Sequence, residues 1–371
     1  MVMLDPCYTI SIKELSEIFN LSSQEINNFF KENQVELTRI GNLVRITPAN
    51  FELILKARDV KKNKMIITSS CVKGGVGKTT LTHGLSAKIS TYGHKTLMID
   101  LDQQANLTSS FGIDSSMGVL PSILDVYRGH FQGKKISIED AIVNITSHLS
   151  IIPANLEMAS FESEFSSKTE NVGNFFKKLL KPIGPQFDII WFDCPPALGK
   201  VTSAAQASSD LIVIPINTDK FSVDGLDLTI DSIVTLHKNF EVNPNVKIVV
   251  NKFDSRQKLG FQIVSYISQN EYKDYLSNNY ISVSKQIDNC IASKSSIWDP
   301  HFKGPAQDDL KNLALEIIGA DKWSSSISEN ASESSSVQSL NNLNNLNNNN
   351  LNNVDNFYQQ SNLDLTGVTH V

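Results

Sequence analysis

The run Cys71-Val72-Lys73-Gly74-Gly75-Val76-Gly77-Lys78-Thr79-Thr80 carries the residue types that hold a nucleoside polyphosphate. Gly77 lets backbone approach a phosphate, Lys78 reaches the terminal phosphates, and the Thr79 hydroxyl serves a Mg²⁺ ion. The ordinary form of such a loop has glycine where Val72 stands; here Lys73 follows instead, a second lysine at the start of the loop. Two further runs end in carboxylates: Leu97-Met98-Ile99-Asp100-Leu101-Asp102 and Phe187-Asp188-Ile189-Ile190-Trp191-Phe192-Asp193. Lysines for an anion and carboxylates for a metal are the parts of phosphoryl transfer, which is mostly positioning and electrostatic stabilisation.

These groups need elements to bring them together. Lys64 to Ser69 reads as a short buried strand entering the loop, and Thr80 to Tyr92 as a helix with Leu81, Leu85 and Ile89 on one face and Gly93 as its stop. A strand, a glycine loop and a helix N-terminus form an anion site, because unpaired N–H groups and the helix dipole converge there. Period-two geometry puts Asp100 and Asp102 on the same side at a strand's carboxyl end, where ligands sit in open α/β sheets. The apolar run before Asp193 reads as a fully buried parallel strand. Further strands are expected over Asp210–Pro215 and Val246–Asn251. Plainer readings exist: a glycine-rich turn without ligand, an acidic pair capping a helix, an aspartate opening a turn. The strand–helix alternation over residues 64 to 320 gives an α/β class with a mostly parallel sheet flanked by helices.

Lys73 to Thr80, KGGVGKTT, resembles the deviant Walker A box of the ParA/MinD ATPases, and the later motifs are closer to the ParA branch. The resemblance spans about residues 64 to 320 and implies a P-loop NTPase fold with ATP and Mg²⁺ as cofactors. It departs from the family's Asp-x-Asp-Pro-Gln-Gly-Asn pattern at Gln103 and Ala105. It implies a homodimer in which Lys73 of one subunit reaches the phosphates of the other. Lys73, Gly74, Gly75, Val76, Gly77, Lys78, Thr79 and Thr80 would bind nucleotide, with Asn251 near the adenine. Thr79, Asp100 and Asp193 would serve the metal, and Asp102 would orient the attacking water, so that Lys73, Lys78 and Asp102 are the catalytic set. Arg256 is similar in position to an arginine that holds DNA nonspecifically. Where the family shows an Ile-Pro-Arg-Asn-type loop, this chain has Ile281-Ser282-Val283-Ser284-Lys285, which leaves Lys285 and Lys294 as candidate cations.

Composition bounds these readings. The chain has 371 residues, 40% of them hydrophobic, enough for a substantial core and more than one domain. A net charge of −6 argues against a surface coated in cations, so DNA contacts must be local. Cys7, Cys71, Cys194 and Cys290 are widely spaced, which indicates neither a zinc cluster nor a disulfide framework. No signal peptide and no spanning helix is expected, consistent with a cytoplasmic, nucleoid-associated protein.

Residues 1–60 read as a separate unit: a helix over Ile12–Phe19, a turn, a second helix from Ser22 or Ser23 to Lys31, a hairpin around Gly41-Asn42, and a helix opened by Pro48. A winged helix-turn-helix is a DNA-binding arrangement, and some ParA-type ATPases carry one to repress their own operon. Gln24, Asn27, Asn28 and Lys31 are the candidate base contacts, and Arg39, Arg45, Lys56, Arg58, Lys61 and Lys62 the candidate phosphate contacts. The plainer reading is a docking or dimerisation hairpin. Residues 61–322 form the expected ATPase domain. Residues 323–371, rich in Ser and Asn, form an expected disordered tail.

The function so implied is ATP-dependent DNA partition, with slow hydrolysis stimulated by a ParB-like protein, nonspecific DNA binding by the ATP dimer, operator DNA held by the N-terminal domain, and no membrane partner. Two alternatives stay open. A MinD-like positioning ATPase needs a basic amphipathic helix at its end, and this tail has no cationic face. A nucleotide-controlled repressor needs only the N-terminal domain and the loop. An iron-protein reductase would need paired cysteines, and a related tyrosine kinase a tyrosine cluster where Tyr358 stands alone.

Overall fold

The computed structural model describes residues 5–116, 119–132, 136–168, 172–320 and 323. The expected disordered tail lies outside them, except for its first residue, Trp323.

Local chemistry sets the first elements: β1 (Ile10–Ser11), α1 (Ile12–Phe19), α2 (Ser23–Glu32), β2 (Thr38–Ile40), β3 (Leu43–Ile46) and α3 (Pro48–Ala57). Ser11 caps α1 by accepting from the Glu14 N–H, and Asn20 ends it in the left-handed region at φ 51°. Ser22 and Glu25 form a reciprocal capping box on α2, as Thr47 and Asn50 do on α3. β3 pairs antiparallel with both β2 and β1, giving a sheet ordered β1-β3-β2. The pairing of β1 was not expected; two residues are too few to show a period.

The rest of the chain supplies β4 (Met65–Ser69), α4 (Lys78–Thr91), β5 (Thr96–Asp100), α5 (Asn106–Ser110), α6 (Ile123–Gln132), β6 (Val143–Asn144), β7 (Leu149–Ile152), α7 (Phe161–Lys168) and α8 (Phe175–Leu180). There follow β8 (Ile189–Asp193), α9 (Lys200–Ser208), β9 (Leu211–Asn217), α10 (Lys220–Phe240), β10 (Asn245–Asn251), α11 (Lys258–Gln269), α12 (Lys285–Ala292) and α13 (Pro305–Ile318). The strands form one sheet ordered β10-β9-β4-β8-β5-β7-β6, parallel throughout except for the antiparallel edge strand β6. β4, β5 and β8 are buried along their lengths or nearly so, as a sheet covered on both faces requires. Because β4 sits between β8 and β9, the loops leaving the carboxyl ends of the central strands gather at one edge.

The boundary expected near residue 60 separates two groups of elements that share one core. Phe51 packs on Tyr92 of the α4 C-terminus at a ring separation of 5.4 Å, and Phe19 and Phe51 both pack on Trp323 at 6.0 and 6.1 Å. Glu14 of α1 pairs with Lys88 of α4 at 2.6 Å and accepts from the Tyr92 hydroxyl at 2.8 Å. Lys62 bridges Glu52 of α3 and Asp188, both at 2.6 Å. Burying each of these rings contributes about 2–3 kcal/mol, so the first elements are held by the α4 side of the sheet rather than hung from a linker.

Candidate functional site

The loop between β4 and α4 turns at Gly75 and Gly77, whose φ values of +74° and +96° favour glycine. Gly77 is also the N-cap of α4, with no side-chain cap. Among the described residues the N–H groups of Gly74, Gly75, Val76 and Gly77 have no protein acceptor. The loop's carbonyls, in contrast, are braced from the sheet. The Asn251 amide at the end of β10 donates to Val76 O at 2.8 Å, and Asn217 at the end of β9 donates to Gly75 O at 3.4 Å. Carbonyls turned inward and N–H groups left unpaired make a cradle for an anion. Lys78 is 7% exposed and curls back over the loop, its Nζ 3.4 Å from Lys73 O.

Two buried carboxylates stand beside this cradle. Asp193 ends β8 and Asp100 ends β5, and the two are register partners across the ladder. Thr79 donates its hydroxyl to Asp193 at 2.7 Å, and Thr82, one turn further along α4, donates to the other oxygen at 3.3 Å. Burial, with the neighbouring charge of Asp100, pushes the Asp193 carboxyl up to about 8. Burial also pushes Asp100 up to about 6, against hydrogen bonds from the Thr108 hydroxyl and N–H and the Asp102 N–H. Two carboxylates whose ionisation is opposed by burial, next to a threonine hydroxyl, are a donor set that a hard divalent cation fits. Asp102 lies just past β5, 9% exposed, and accepts from the Gln104 N–H at 2.9 Å.

Lys73 stands at the mouth of the loop with a quarter of its side chain exposed, ion-paired to Asp219 and 3.2 Å from the Ser222 hydroxyl. Asp219 is the N-cap residue of α10. Sequence reading missed this partner, because nothing in the spacing of residues 73 and 219 connects them. It missed Thr82 and Thr108 for the same reason.

Asn251 braces the loop, and its amide donates to loop backbone. Arg256 is 83% exposed but turned back on Asp254, with both of its hydrogen bonds to that carboxylate at 2.8 Å. Lys285 is exposed at the first position of α12, and Lys294 is exposed beyond that helix. On α2, Gln24, Asn27, Asn28 and Lys31 are all exposed, opposite the buried Ile26 and Phe30. Three of the cations expected on DNA phosphates are used internally instead. Arg45 donates to Pro6 O, Thr9 O and the Thr9 hydroxyl; Lys62 holds Glu52 and Asp188; Arg58 lies over the Phe19 ring. Cys194 is buried beside Asp193, and burial raises its thiol pKa, which leaves it no role as a thiolate.

A family model described as an AAA domain matches residues 64–248. The chain is 28% identical over 225 residues to the sporulation initiation inhibitor protein Soj of Bacillus subtilis, covering 58% of this chain and 84% of that one. It is 30% identical over 209 residues to the chromosome partitioning protein ParA of Myxococcus xanthus, covering 54% and 70%. Among solved structures, the ATP complex of a McdA variant from Cyanothece superposes with a TM-score of 0.61 at 20% identity, covering 70% of this chain and 98% of that one. A plasmid partition protein of Borrelia burgdorferi superposes at 0.52 and 24%, covering 70% and 100%.

Proposed function

This chain belongs to the ParA family of P-loop ATPases, and on that premise we propose that it is a DNA-partition ATPase that dimerises on ATP, binds DNA nonspecifically and is released by hydrolysis. The observation that carries the reading is Lys73: a second lysine, partly exposed at the mouth of a cradle that already has Lys78 inside it. A lysine placed outside a complete cradle suits the phosphates of a facing subunit.

In this reading the free N–H groups of Gly74 to Gly77 and the Lys78 ammonium hold the β and γ phosphates of ATP, while Thr79 and the Asp100–Asp193 pair hold Mg²⁺. Held there, Mg²⁺ would neutralise charge on the phosphate oxygens. Asp102 orients the attacking water from just outside the buried pair. Lys73 leaves Asp219 when a partner's nucleotide arrives, so dimerisation exchanges one ion pair for another. Asn251, which braces the loop, also borders the adenine.

Residues 1–60 serve as an operator-binding winged helix-turn-helix that makes the protein its own repressor. The exposed amides of Gln24, Asn27 and Asn28 on α2 support base contact. That same face favours a second reading, a nucleotide-controlled repressor with no partition role. A ParB-like protein is the stimulating partner by analogy. Among the described residues no helix is long and apolar enough to cross a membrane.

The deciding experiment compares binding to random-sequence duplex DNA in ATP, ADP and no nucleotide at one salt concentration, with anionic liposomes alongside. ATP-dependent DNA binding supports partition. Liposome binding alone overturns it in favour of a MinD-like role, and operator binding without nonspecific binding favours the repressor.

A further inference from the structure

We propose that a strip of lysines at the amino ends of the strands, on the side of the sheet away from the nucleotide, is the main contact of this protein with the phosphate backbone of duplex DNA. It rests on the DNA-binding reading above and names the surface responsible.

The strip follows from strand register. Met65 of β4 pairs with Ile189 of β8, which pairs in turn with Thr96 of β5. The residues just before these strands, Lys64, Asp188 and Lys95, therefore stand in a row across three neighbouring strands, about 5 Å apart per strand. Asp188 in the middle is engaged: Lys62, which it shares with Glu52, pairs with it at 2.6 Å, and the Lys95 N–H donates to it at 2.9 Å. An open cleft of about 300 Å³ beside it is lined by Lys64 and by Lys177 and Lys181 from the α8 region. A second cleft of about 360 Å³, lined by Lys56 and Lys62, adjoins it through the Lys62–Asp188 pair. Lys56, Lys64, Lys95, Lys177, Lys178 and Lys181 are all exposed.

The acids nearby cancel only part of this charge. Glu52 shares Lys62 with Asp188, and Asp210 spends one oxygen on the Ile66 N–H at 2.7 Å. Asp59 and Asp210 are the exposed acids left on the strip. In a chain of net charge −6, a strip on which exposed lysines outnumber the acids is a local exception, and lysines spread along one edge of the sheet match a line of phosphates. The cations that the family resemblance pointed to are weaker candidates, since Arg256 is already chelated by Asp254.

The test is fluorescence anisotropy of a short random-sequence duplex with the full-length chain and ATP, across a salt series. Each of Lys64→Gln, Lys177→Gln and Lys181→Gln should reduce the log–log salt slope by about 1, and the triple variant should weaken binding at least about tenfold. Basal ATP hydrolysis should be unchanged, and Arg256→Gln should leave the slope alone. If the wild-type chain binds duplex in ATP but the triple variant keeps its slope, the strip is not the contact. If the wild-type chain binds no duplex in any nucleotide state, the partition reading falls together with this one. Binding of poly-glutamate at the strip without binding of duplex would overturn the inference in favour of an acidic protein partner.

Discussion

The side-chain amide of Asn251 occupies the space that a β-carbon on Gly77 would need. Gly77 is therefore required twice, for its φ of +96° and for the approach of Asn251. Gly77→Ala should cost about 1–3 kcal/mol of local strain, lose nucleotide binding by calorimetry and keep its circular dichroism. Asn251→Ala in the same background removes the clash but not the strain, so it should restore binding only in part. Full restoration would mean that backbone conformation is not the limiting factor.

Lys73→Ala should leave ATP affinity within a few-fold of wild type, because Lys78 and the loop N–H groups remain, and abolish the ATP-induced dimer in light scattering. Asp219→Asn, which removes the carboxylate charge paired with Lys73 and leaves the lysine in place, should favour the dimer. A Lys73→Ala chain that still dimerises on ATP would sink the trans role.

Asp102→Ala should lower the hydrolysis rate by at least about a hundredfold, in keeping with loss of a water-orienting group, while the ATP-bound dimer accumulates. Hydrolysis at the wild-type rate would remove Asp102 from the mechanism.

Glu14 and Lys88 form an ion pair only 15% and 6% exposed. Burial opposes ionisation of Glu14, but Lys88, Lys311 and the Tyr92 hydroxyl outweigh it and hold the carboxyl below its usual range, whereas burial pushes Lys88 below its own. Each charge depends on the other. Lys88→Met alone should destabilise the chain by about 3 kcal/mol, and Lys88→Met with Glu14→Leu by much less. Chemical denaturation of the two variants checks this, and equal losses in both would show that the pair is not coupled.

His83, stacked on Phe111 and bonded to the Ser110 hydroxyl, is buried and pushed down to about 4; His94 is pushed down to about 4, chiefly by its burial. Both are neutral when folded and take up a proton more readily when unfolded. Their stabilisation is thus complete above about 6.5 and is lost as pH falls toward 4, at up to about 1.4 kcal/mol per pH unit for each histidine. His83→Asn should flatten that slope by about one proton. An unchanged slope in thermal melts between pH 7 and pH 4.5 would rule His83 out as a source.

Much of the sheet was legible because its strands are continuous apolar runs that end at polar residues, as Ile189–Asp193 does. The start of α4 was misplaced by two residues, at Thr80 instead of Lys78, because a glycine N-cap without a capping side chain leaves no mark in the sequence. The strand order and the antiparallel edge are tertiary choices that no local period encodes. The same holds for the Lys73–Asp219 pair and for Arg45 and Lys62, since a cation looks alike in sequence whether it faces solvent or a neighbouring carboxylate. Trp323 read as the start of the tail because serines follow it; the rings of Phe19, Phe51 and His94 reveal it as core.

That aromatic seam bears on how the two halves of this protein can be exchanged. Phe19 and Phe51 cover Tyr92 and Trp323, so a chain begun after residue 60 would present those rings, and an unpaired Lys88, to water. The N-terminal unit is a lid on the ATPase core as well as a candidate reader of DNA, not an interchangeable attachment. A graft from a relative would have to bring its own matching aromatic pair and a glutamate at the position of Glu14.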